Sequence, residues 1–288
     1  MLQFAVNDAT CTRCNQCVLD CPSRIIERTG KAVPFIRPEN EERCIQCQHC
    51  LAVCPPAAVS IFGRDPARSL ALTASSFPDA EEMMTLVRGR RSVRRYRDEN
   101  VDPALIQRLL ATLSNAPSAI NRRPLTFSVI DDKAVMNGFR LKALNGLAEA
   151  GKAGRVPERF AYLMQAVPAW FEHGVDMIFR GAPHLLLVSA APESVCPQED
   201  VNLALATFDL MAQCAGLGTV WCGMAKMTLE LLPELKEAVG LQPEHYYYAM
   251  LFGVPSFRYA RTVQRDDAAR IHRVTSRFDT PRAADRPV

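Results

Sequence analysis

The sequence opens on a repeated cysteine pattern that decides the fold of its N-terminal part. Residues 11–22 read CTRCNQCVLDCP, and residues 44–55, which begin 33 positions later, read CIQCQHCLAVCP with the same cysteine spacing. Eight of the 11 cysteines lie in the first 54 residues, and the others are scattered over the rest of the chain at Cys196, Cys214 and Cys222. This asymmetry predicts a cysteine-dependent module. An odd total without an export signal argues against a disulfide framework.

The spacing within each copy suits an iron–sulfur cube. Three thiolates separated by two residues each let a tight loop hold three corners of a 4Fe-4S cluster, while the fourth cysteine binds the other cluster. One predicted ligand set is Cys11, Cys14, Cys17 and Cys54, and the other is Cys44, Cys47, Cys50 and Cys21. Zinc is the alternative, but a zinc ribbon needs only two Cys-x2-Cys pairs and would leave half of these cysteines unexplained.

This cysteine module resembles bacterial two-cluster ferredoxins over about residues 1–64. His49 lies inside the second cysteine loop. Because four thiolates are already available there, we interpret His49 as a residue beside the cluster or on the surface.

Length and composition are those of an ordinary globular protein. A chain of 288 residues favours about two domains, and 48% hydrophobic with 23% charged residues excludes a disordered or collagen-like chain. The formal net charge of +3 gives no global field of the kind that marks nucleic-acid binders. We see no secretory signal and no membrane-spanning stretch, so we expect a cytoplasmic protein without a nucleic-acid or membrane partner. Residues 65–80 predict an interdomain linker.

A basic segment follows this linker. Residues 81–88 predict a helix that ends at Gly89, and six arginines lie among residues 88–97. Such a run is typical of a solvated face, a nucleic-acid patch or a phosphate clamp. An amphipathic helix over residues 103–114, capped by Asp102, comes next. It leads through a loop of turn-forming residues into an alternating strand over residues 125–130.

In order and spacing, these segments resemble the FMN-dependent nitroreductase family. The resemblance rests on RRSVRRY at 90–96, APSAIN at 116–121, GAP at 181–183, GLGTVWCG at 216–223 and GVP at 253–255. It implies an α+β, nitroreductase-like fold with helices around a mixed, mainly antiparallel sheet over residues 81–270. The small ferredoxin-like iron–sulfur domain would precede this fold, and residues 271–288 would be a C-terminal extension.

The resemblance also implies an FMN site. In the family, the arginine segment holds the flavin phosphate and ribityl oxygens, the APSAIN loop reaches the flavin of the partner subunit, and the stretch after GLGTVW lies by the flavin ring. The positions carried over are Arg90, Arg91, Ser92 and Arg94 from the first, Pro117, Ser118 and Asn121 from the second, and Cys222 and Gly223 from the third. Arg261 and Arg265 are further candidates for phosphate contacts. A homodimer with composite sites follows.

The sequence therefore predicts an FMN-dependent oxidoreductase with two 4Fe-4S clusters. An external low-potential donor would reduce the clusters, FMN would collect the electrons, and a nitroaromatic, quinone or activated alkene would receive hydride. The alternatives are a redox sensor or electron-transfer subunit with no substrate of its own, and a specialised family member such as a reductive dehalogenase. This chain has Arg122 where many family members have Gln after the loop Asn, and Cys222 replaces an acidic residue of some branches. These departures leave the substrate and the catalytic residues open.

Overall fold

The structure is a computed structural model that describes residues 1–265 and 269–275. The N-terminal module is built from short elements around the two cysteine loops: β1 (Ala5–Val6), α1 (Gln16–Leu19), β2 (Ile26–Glu27), β3 (Phe35–Ile36), α2 (His49–Ala52) and β4 (Val59–Ser60). Strand β1 pairs antiparallel with β4, and β2 pairs antiparallel with β3. The first and last strands of the module, β1 and β4, are therefore hydrogen-bonded to each other.

The 33-residue repeat is preserved in the backbone. Asn15, which precedes α1, and Gln48, which precedes α2, both adopt left-handed conformations, with φ of 63° and 60°. Arg13 and Gln46 also share a φ of 57°. Non-glycine residues rarely adopt such angles unless the surrounding structure holds them. The two cysteine loops are therefore conformational copies of each other.

A connecting segment joins this module to the larger domain. Asp65 caps a short 3₁₀ turn at Pro66–Arg68, and the exposed residues that follow lead to a capping box in which Asp79 and Glu82 bond each other's backbone amides. This capping box starts α3 (Ala80–Gly89), which has no buried residue. Satisfied N-terminal amides explain where the helix begins.

The larger domain arranges helices on both faces of one antiparallel sheet. Its strands are β5 (Thr126–Ile130), β6 (His184–Ala190), β7 (Gly218–Trp221) and β8 (Tyr246–Gly253), in the order β5-β6-β8-β7. Its helices after α3 are α4 (Pro103–Thr112), α5 (Lys133–Lys152), α6 (Ala166–His173), α7 (Pro197–Cys214), α8 (Gly223–Leu231) and α9 (Pro233–Ala238). Further 3₁₀ segments cover Leu113–Asn115, Ala119–Asn121 and Glu158–Gln165.

The two central strands are buried on both faces. On β6, Leu185 and Leu187 belong to the core formed with α5, α8 and α9, whereas Leu186 and Val188 belong to the core formed with α4 and α7. Successive side chains of a strand point to opposite faces, so each helix layer receives alternate residues. A strand covered on both faces reads as a continuous apolar run, as residues 184–190 do.

A buried ion pair fixes the turn that leads into β6. Arg140 on α5 donates through Nε to Asp176 at 2.7 Å and through Nη2 to the Ala182 carbonyl at 2.7 Å. Asp176 also accepts from the backbone amides of Phe179 and Gly181. Both charged side chains are almost fully buried. Because every polar group has a partner, the pair stabilises this turn despite its burial.

The predicted α+β, nitroreductase-like fold with a small ferredoxin-like domain before it is confirmed. The paired strands of the described sheet are all antiparallel, and an isolated parallel bridge joins Ser92 to Thr219. Of the predicted C-terminal extension, residues 276–288 lie outside the described residues. In the part of the chain that the structure describes, no helix has the length and apolar character needed to cross a membrane.

Candidate functional site

The eight N-terminal cysteines come together as two sets of four. Cys11, Cys14, Cys17 and Cys54 line one small cavity. Cys21, Cys44, Cys47 and Cys50 line a second small cavity. These are the two groupings that the spacing predicts. Backbone amides point at some of the sulfurs, with Gln46 N 3.4 Å from Cys44 Sγ and Ala58 N 3.2 Å from Cys54 Sγ.

The four thiols of each set line a cavity and do not converge on a single position. Among residues 1–265 and 269–275, no three His, Cys, Asp or Glu side chains converge closely enough to hold a single metal ion. A zinc ion needs sulfurs at about 2.3 Å from one centre, whereas a cubane takes each sulfur on a different iron. Two cavities, each lined by four cysteines, suit two four-iron clusters. The His49 imidazole is exposed and faces Asp20 at 3.6 Å, and His49 also lines the cavity of Cys21, Cys44, Cys47 and Cys50.

Burial keeps several of these thiols protonated when no metal replaces the proton. Desolvation raises the pKa of Cys50 to about 12, and the neighbouring Cys47, Cys21 and Cys44 add to the shift. Desolvation and the nearby Cys54 likewise raise the pKa of Cys17. Because a metal-bound thiol is deprotonated outright, iron binding would overcome this penalty. Thiols so placed suit ligation rather than nucleophilic chemistry.

The arginine segment is fastened to the sheet by its backbone. Val93 N donates to Thr219 O of β7 at 2.8 Å. This hydrogen bond accompanies the isolated parallel bridge between Ser92 and Thr219, so the segment lies along β7. Arg90, Arg91 and Ser92 are half-buried, whereas Arg94 is exposed. In a single chain, these side chains lie on an open surface. Guanidinium groups on a fixed backbone suit a phosphate, because they bind its oxygens bidentately.

A buried carboxylate, Asp209 on α7, positions the first of these arginines. Its Oδ2 lies 3.4 Å from Arg90 Nη1 and accepts from Trp221 Nε1 at 3.2 Å, and its Oδ1 accepts from the Thr219 hydroxyl. The sequence pattern alone did not indicate a role for Asp209. The available signal was an acidic residue on the buried face of an otherwise nearly uncharged helix, where an acid needs partners.

Cys222 and Gly223 lie where β7 ends and α8 begins. Cys222 N donates to Ala249 O at 2.8 Å, while its Sγ lies 3.3 Å from Ile178 O and 3.4 Å from the Ala225 amide. Burial raises the pKa of Cys222 to about 11, so its thiol stays protonated at neutral pH. This environment favours a structural thiol that caps α8. Gly223 faces the Tyr248 hydroxyl, which a Cβ would approach to 3.4 Å.

The loop 117–123 contacts the N-terminal module. Asn121 Nδ2 donates to Ile45 O at 3.0 Å, and Asp200 on α7 accepts from Ala119 N at 3.0 Å. Ser118 Oγ accepts from Arg123 N at 2.9 Å, and Pro117 is exposed. The structure thus brings Asn121 to the cysteine module rather than to the arginine segment of its own chain. The sequence pattern indicated neither this contact nor the role of Asp200.

The tail after β8 returns towards the arginine segment. Tyr259 donates its hydroxyl to Ser92 O at 3.4 Å, and the Arg95 guanidinium lies 4.2 Å from the centre of the Phe257 ring. Arg261 and Arg265 follow in an exposed stretch without regular secondary structure. Their phosphate contacts stay a prediction.

Comparison with known proteins identifies two matching families. The nitroreductase family matches residues 87–254, and the 4Fe-4S dicluster domain matches residues 10–59. A protein of Archaeoglobus fulgidus named putative NADH dehydrogenase/NAD(P)H nitroreductase is 28% identical over 63% of this chain and 87% of its own length. The 5,6-dimethylbenzimidazole synthase of Rhodobacter capsulatus is 29% identical over 67% of this chain and 89% of its own. Since these two names denote different activities, the likeness indicates a family and not a substrate.

A solved structure shares the fold of the larger domain. The nitroreductase with bound FMN from Desulfitobacterium hafniense aligns with a TM-score of 0.52 and 20% identity, over 67% of this chain and 98% of its own. The cysteine module lies in the part of the chain that matches the 4Fe-4S dicluster domain, outside the residues that match the nitroreductase family.

Proposed function

Because this chain is an FMN-dependent oxidoreductase of the nitroreductase family with an N-terminal 4Fe-4S dicluster domain, we propose that it joins an electron relay to a flavin reaction. The electrons come singly from an external low-potential donor and enter through the cysteine module. A bound FMN supplies storage of two electrons and their release as a hydride. The acceptor is a small organic molecule of the nitroaromatic, quinone or activated-alkene class.

The observation that carries this proposal is the pair of four-thiol cavities in the same chain as the nitroreductase fold. Each cavity takes three thiols from one repeat and the fourth from the other, which is the ligand pattern of two-cluster ferredoxins. Two clusters per chain follow from eight thiols in two sets. The 11 cysteines are free thiols, which suits a reducing compartment such as the cytoplasm.

We assign the flavin phosphate and ribityl chain to the arginine segment. Arg90, Arg91 and Arg94 would balance the phosphate charge, and the Ser92 hydroxyl would bond the sugar oxygens. Asp209 holds Arg90 in place before any ligand arrives, which reduces the ordering cost of binding. Gly223 would lie by the ring, at the start of α8. Cys222 would position the start of α8.

We further propose that the functional unit is a homodimer. Arg94 is exposed and Arg90, Arg91 and Ser92 are only half-buried in one chain, so a second copy would cover a ring system there and exclude water from it. Helix α3 exposes Met83, Met84 and Val87, and Ile120 is exposed on the loop 117–123. Apolar side chains on neighbouring surfaces of a soluble domain are typical of an interface. Pro117 and Ser118 would then face the partner's flavin.

Anaerobic purification with joint assay of iron, sulfide and FMN tests the cofactors. We expect about eight Fe and one FMN per chain. Turnover of a nitroaromatic with chemically reduced ferredoxin then tests the reaction. Flavin bleaching without consumption of the acceptor would instead support the alternative of an electron-transfer subunit. Zinc in place of iron would refute the relay.

A further inference from the structure

The two thiol sets differ in their relation to the rest of the chain. Ile45, next to Cys44, accepts the hydrogen bond from Asn121 Nδ2 at 3.0 Å. A notch lined by residues 42–46 on one side and 120–123 on the other includes Cys44 itself. The cavities of both sets are lined by residues of the N-terminal module alone, and the notch is shared with a cysteine of the Cys44 set but with none of the Cys11 set. The Cys44 set is thus the one that adjoins the nitroreductase fold.

The loop that makes this contact is held in an unusual conformation. Ile120, Asn121 and Arg123 all have positive φ, of 44°, 55° and 49°. A β-branched residue such as isoleucine is rarely found there, so its surroundings must hold it. The Asp200 carboxylate on α7 is 2% exposed and accepts from the Ala119 amide. This buried carboxylate braces the loop against the core.

One rigid element connects the loop to the arginine segment. Helix α7 carries Asp200, which holds the loop, and Asp209, which holds Arg90. Its inner face is packed on β6, β7 and β8. The contact to the cysteine module and the proposed phosphate site are therefore fixed to the same helix. A shift of the loop or of Arg90 relative to α7 would break one of these two contacts.

We infer that the Cys44 set is the electron exit of the N-terminal module, and that the loop 117–123 is its contact with the flavin site. Asn121 is then a positioning residue that holds the two parts together. The inference rests on the proposed function. Each electron lost by the iron centre at the Cys44 set is gained by FMN, and two such transfers with one proton from solvent give FMNH⁻. An external one-electron reductant of low potential restores the iron centre.

The test compares Asn121→Asp with Asn115→Asp in the anaerobic holoprotein. Aspartate tolerates the left-handed conformation, but it replaces the donor to Ile45 O by an acceptor. Asn115 is a matched control, because its amide bonds Thr112 O within an exposed turn of its own domain. For each protein, the rate of flavin bleaching by reduced ferredoxin is divided by the rate with dithionite, which reduces flavin directly. Rates are expressed per bound FMN.

We expect this ratio to fall about ten-fold in Asn121→Asp, which corresponds to about 1.4 kcal/mol of lost coupling. In Asn115→Asp, we expect the ratio to stay within two-fold of wild type, which corresponds to about 0.4 kcal/mol. An unchanged ratio in Asn121→Asp overturns the inference and leaves the proposed function standing. A parallel loss of both rates also overturns it, since it would assign Asn121 to flavin binding. If reduced ferredoxin does not bleach wild-type flavin while dithionite does, the proposed function itself fails.

A second measurement uses variants of the cluster ligands instead of the loop variant. Pulsed EPR records how fast an unpaired electron trapped on the flavin relaxes, and a nearby reduced cluster accelerates that relaxation. We expect Cys47→Ser to remove most of the acceleration and Cys14→Ser to preserve most of it. The reverse order would place the Cys11 set nearer to the flavin and refute the assigned exit.

Discussion

The absence of a side chain at Gly218 is needed for the arginine segment to lie against β7. A Cβ at Gly218 would come within 2.6 Å of Val93 Cβ and Cγ2, a distance that real side chains do not reach. Restoring an ordinary contact of 3.4 Å would require a shift of about 0.8 Å. Gly218→Ala therefore forces Val93, and the arginines around it, away from the sheet.

The size of this effect can be worked from the hydrogen bond at the same place. Val93 N lies 2.8 Å from Thr219 O. A displacement of about 0.8 Å along that bond would take it beyond hydrogen-bonding distance. Overpacking costs about 1 to 3 kcal/mol and a lost hydrogen bond about 1 kcal/mol. We expect Gly218→Ala to lower the free energy of unfolding by about 2 to 4 kcal/mol and to weaken FMN binding at least about ten-fold.

The assays are denaturant unfolding and fluorescence titration of the apo-flavoprotein with FMN. Gly138→Ala is the matched control, because a Cβ there meets nothing within 4 Å and alanine favours the helix by about 0.5 to 1 kcal/mol. Adding Val93→Gly to Gly218→Ala should recover part of the loss, since glycine removes the Cβ and both Cγ atoms that the new side chain would meet. Wild-type stability and FMN affinity in Gly218→Ala would refute the reasoning, as would strict additivity of the two substitutions.

Three further predictions concern buried polar groups. Asp209→Asn should raise the Kd for FMN about five-fold to ten-fold in the same titration, because Arg90 loses its charged partner, and an unchanged Kd would contradict the positioning role. Asp176→Ala should lower the free energy of unfolding by about 3 to 5 kcal/mol in denaturant, since it leaves Arg140 buried without its partner, and a loss below 1 kcal/mol would show that the pair is dispensable. Burial lowers the pKa of His184 in the folded chain, so the His184 imidazole binds a proton more readily in the unfolded chain. The stability that neutral His184 contributes above pH about 6.5 should therefore decline as the pH falls below that value. His184→Gln should abolish that part of the pH dependence, and parallel unfolding profiles for variant and wild type would count against it.

Features that depend on neighbouring residues were predictable from the sequence, and features that depend on long-range packing were not. The cysteine sets follow from spacing, because each loop is local and the repeat relates the two copies. The helix that begins after Asp102 was likewise marked by its cap, and Asp102 Oδ1 accepts from Ala104 N. Asp200 reaches an amide 81 positions away, and nothing in the pattern of an apolar helix indicates which amide that is.

The same reason explains why the contact between the two parts of the chain was missed. Asn121 and Ile45 are 76 residues apart, and the acceptor is a backbone carbonyl, which every residue possesses. The APSAIN motif suggested a contact with the flavin because the resemblance to the nitroreductase family implied that contact. Only the packing of the module against the loop reveals the other contact of Asn121.

The crossed ligand sets have a consequence for maturation. Cys54 completes the first cavity and Cys21 completes the second, so neither half of the module can assemble its own metal centre. Both repeats must therefore be synthesised before either cluster can take its full set of four ligands. Loss of Cys21 or Cys54 would remove a ligand from the cluster that the other repeat holds.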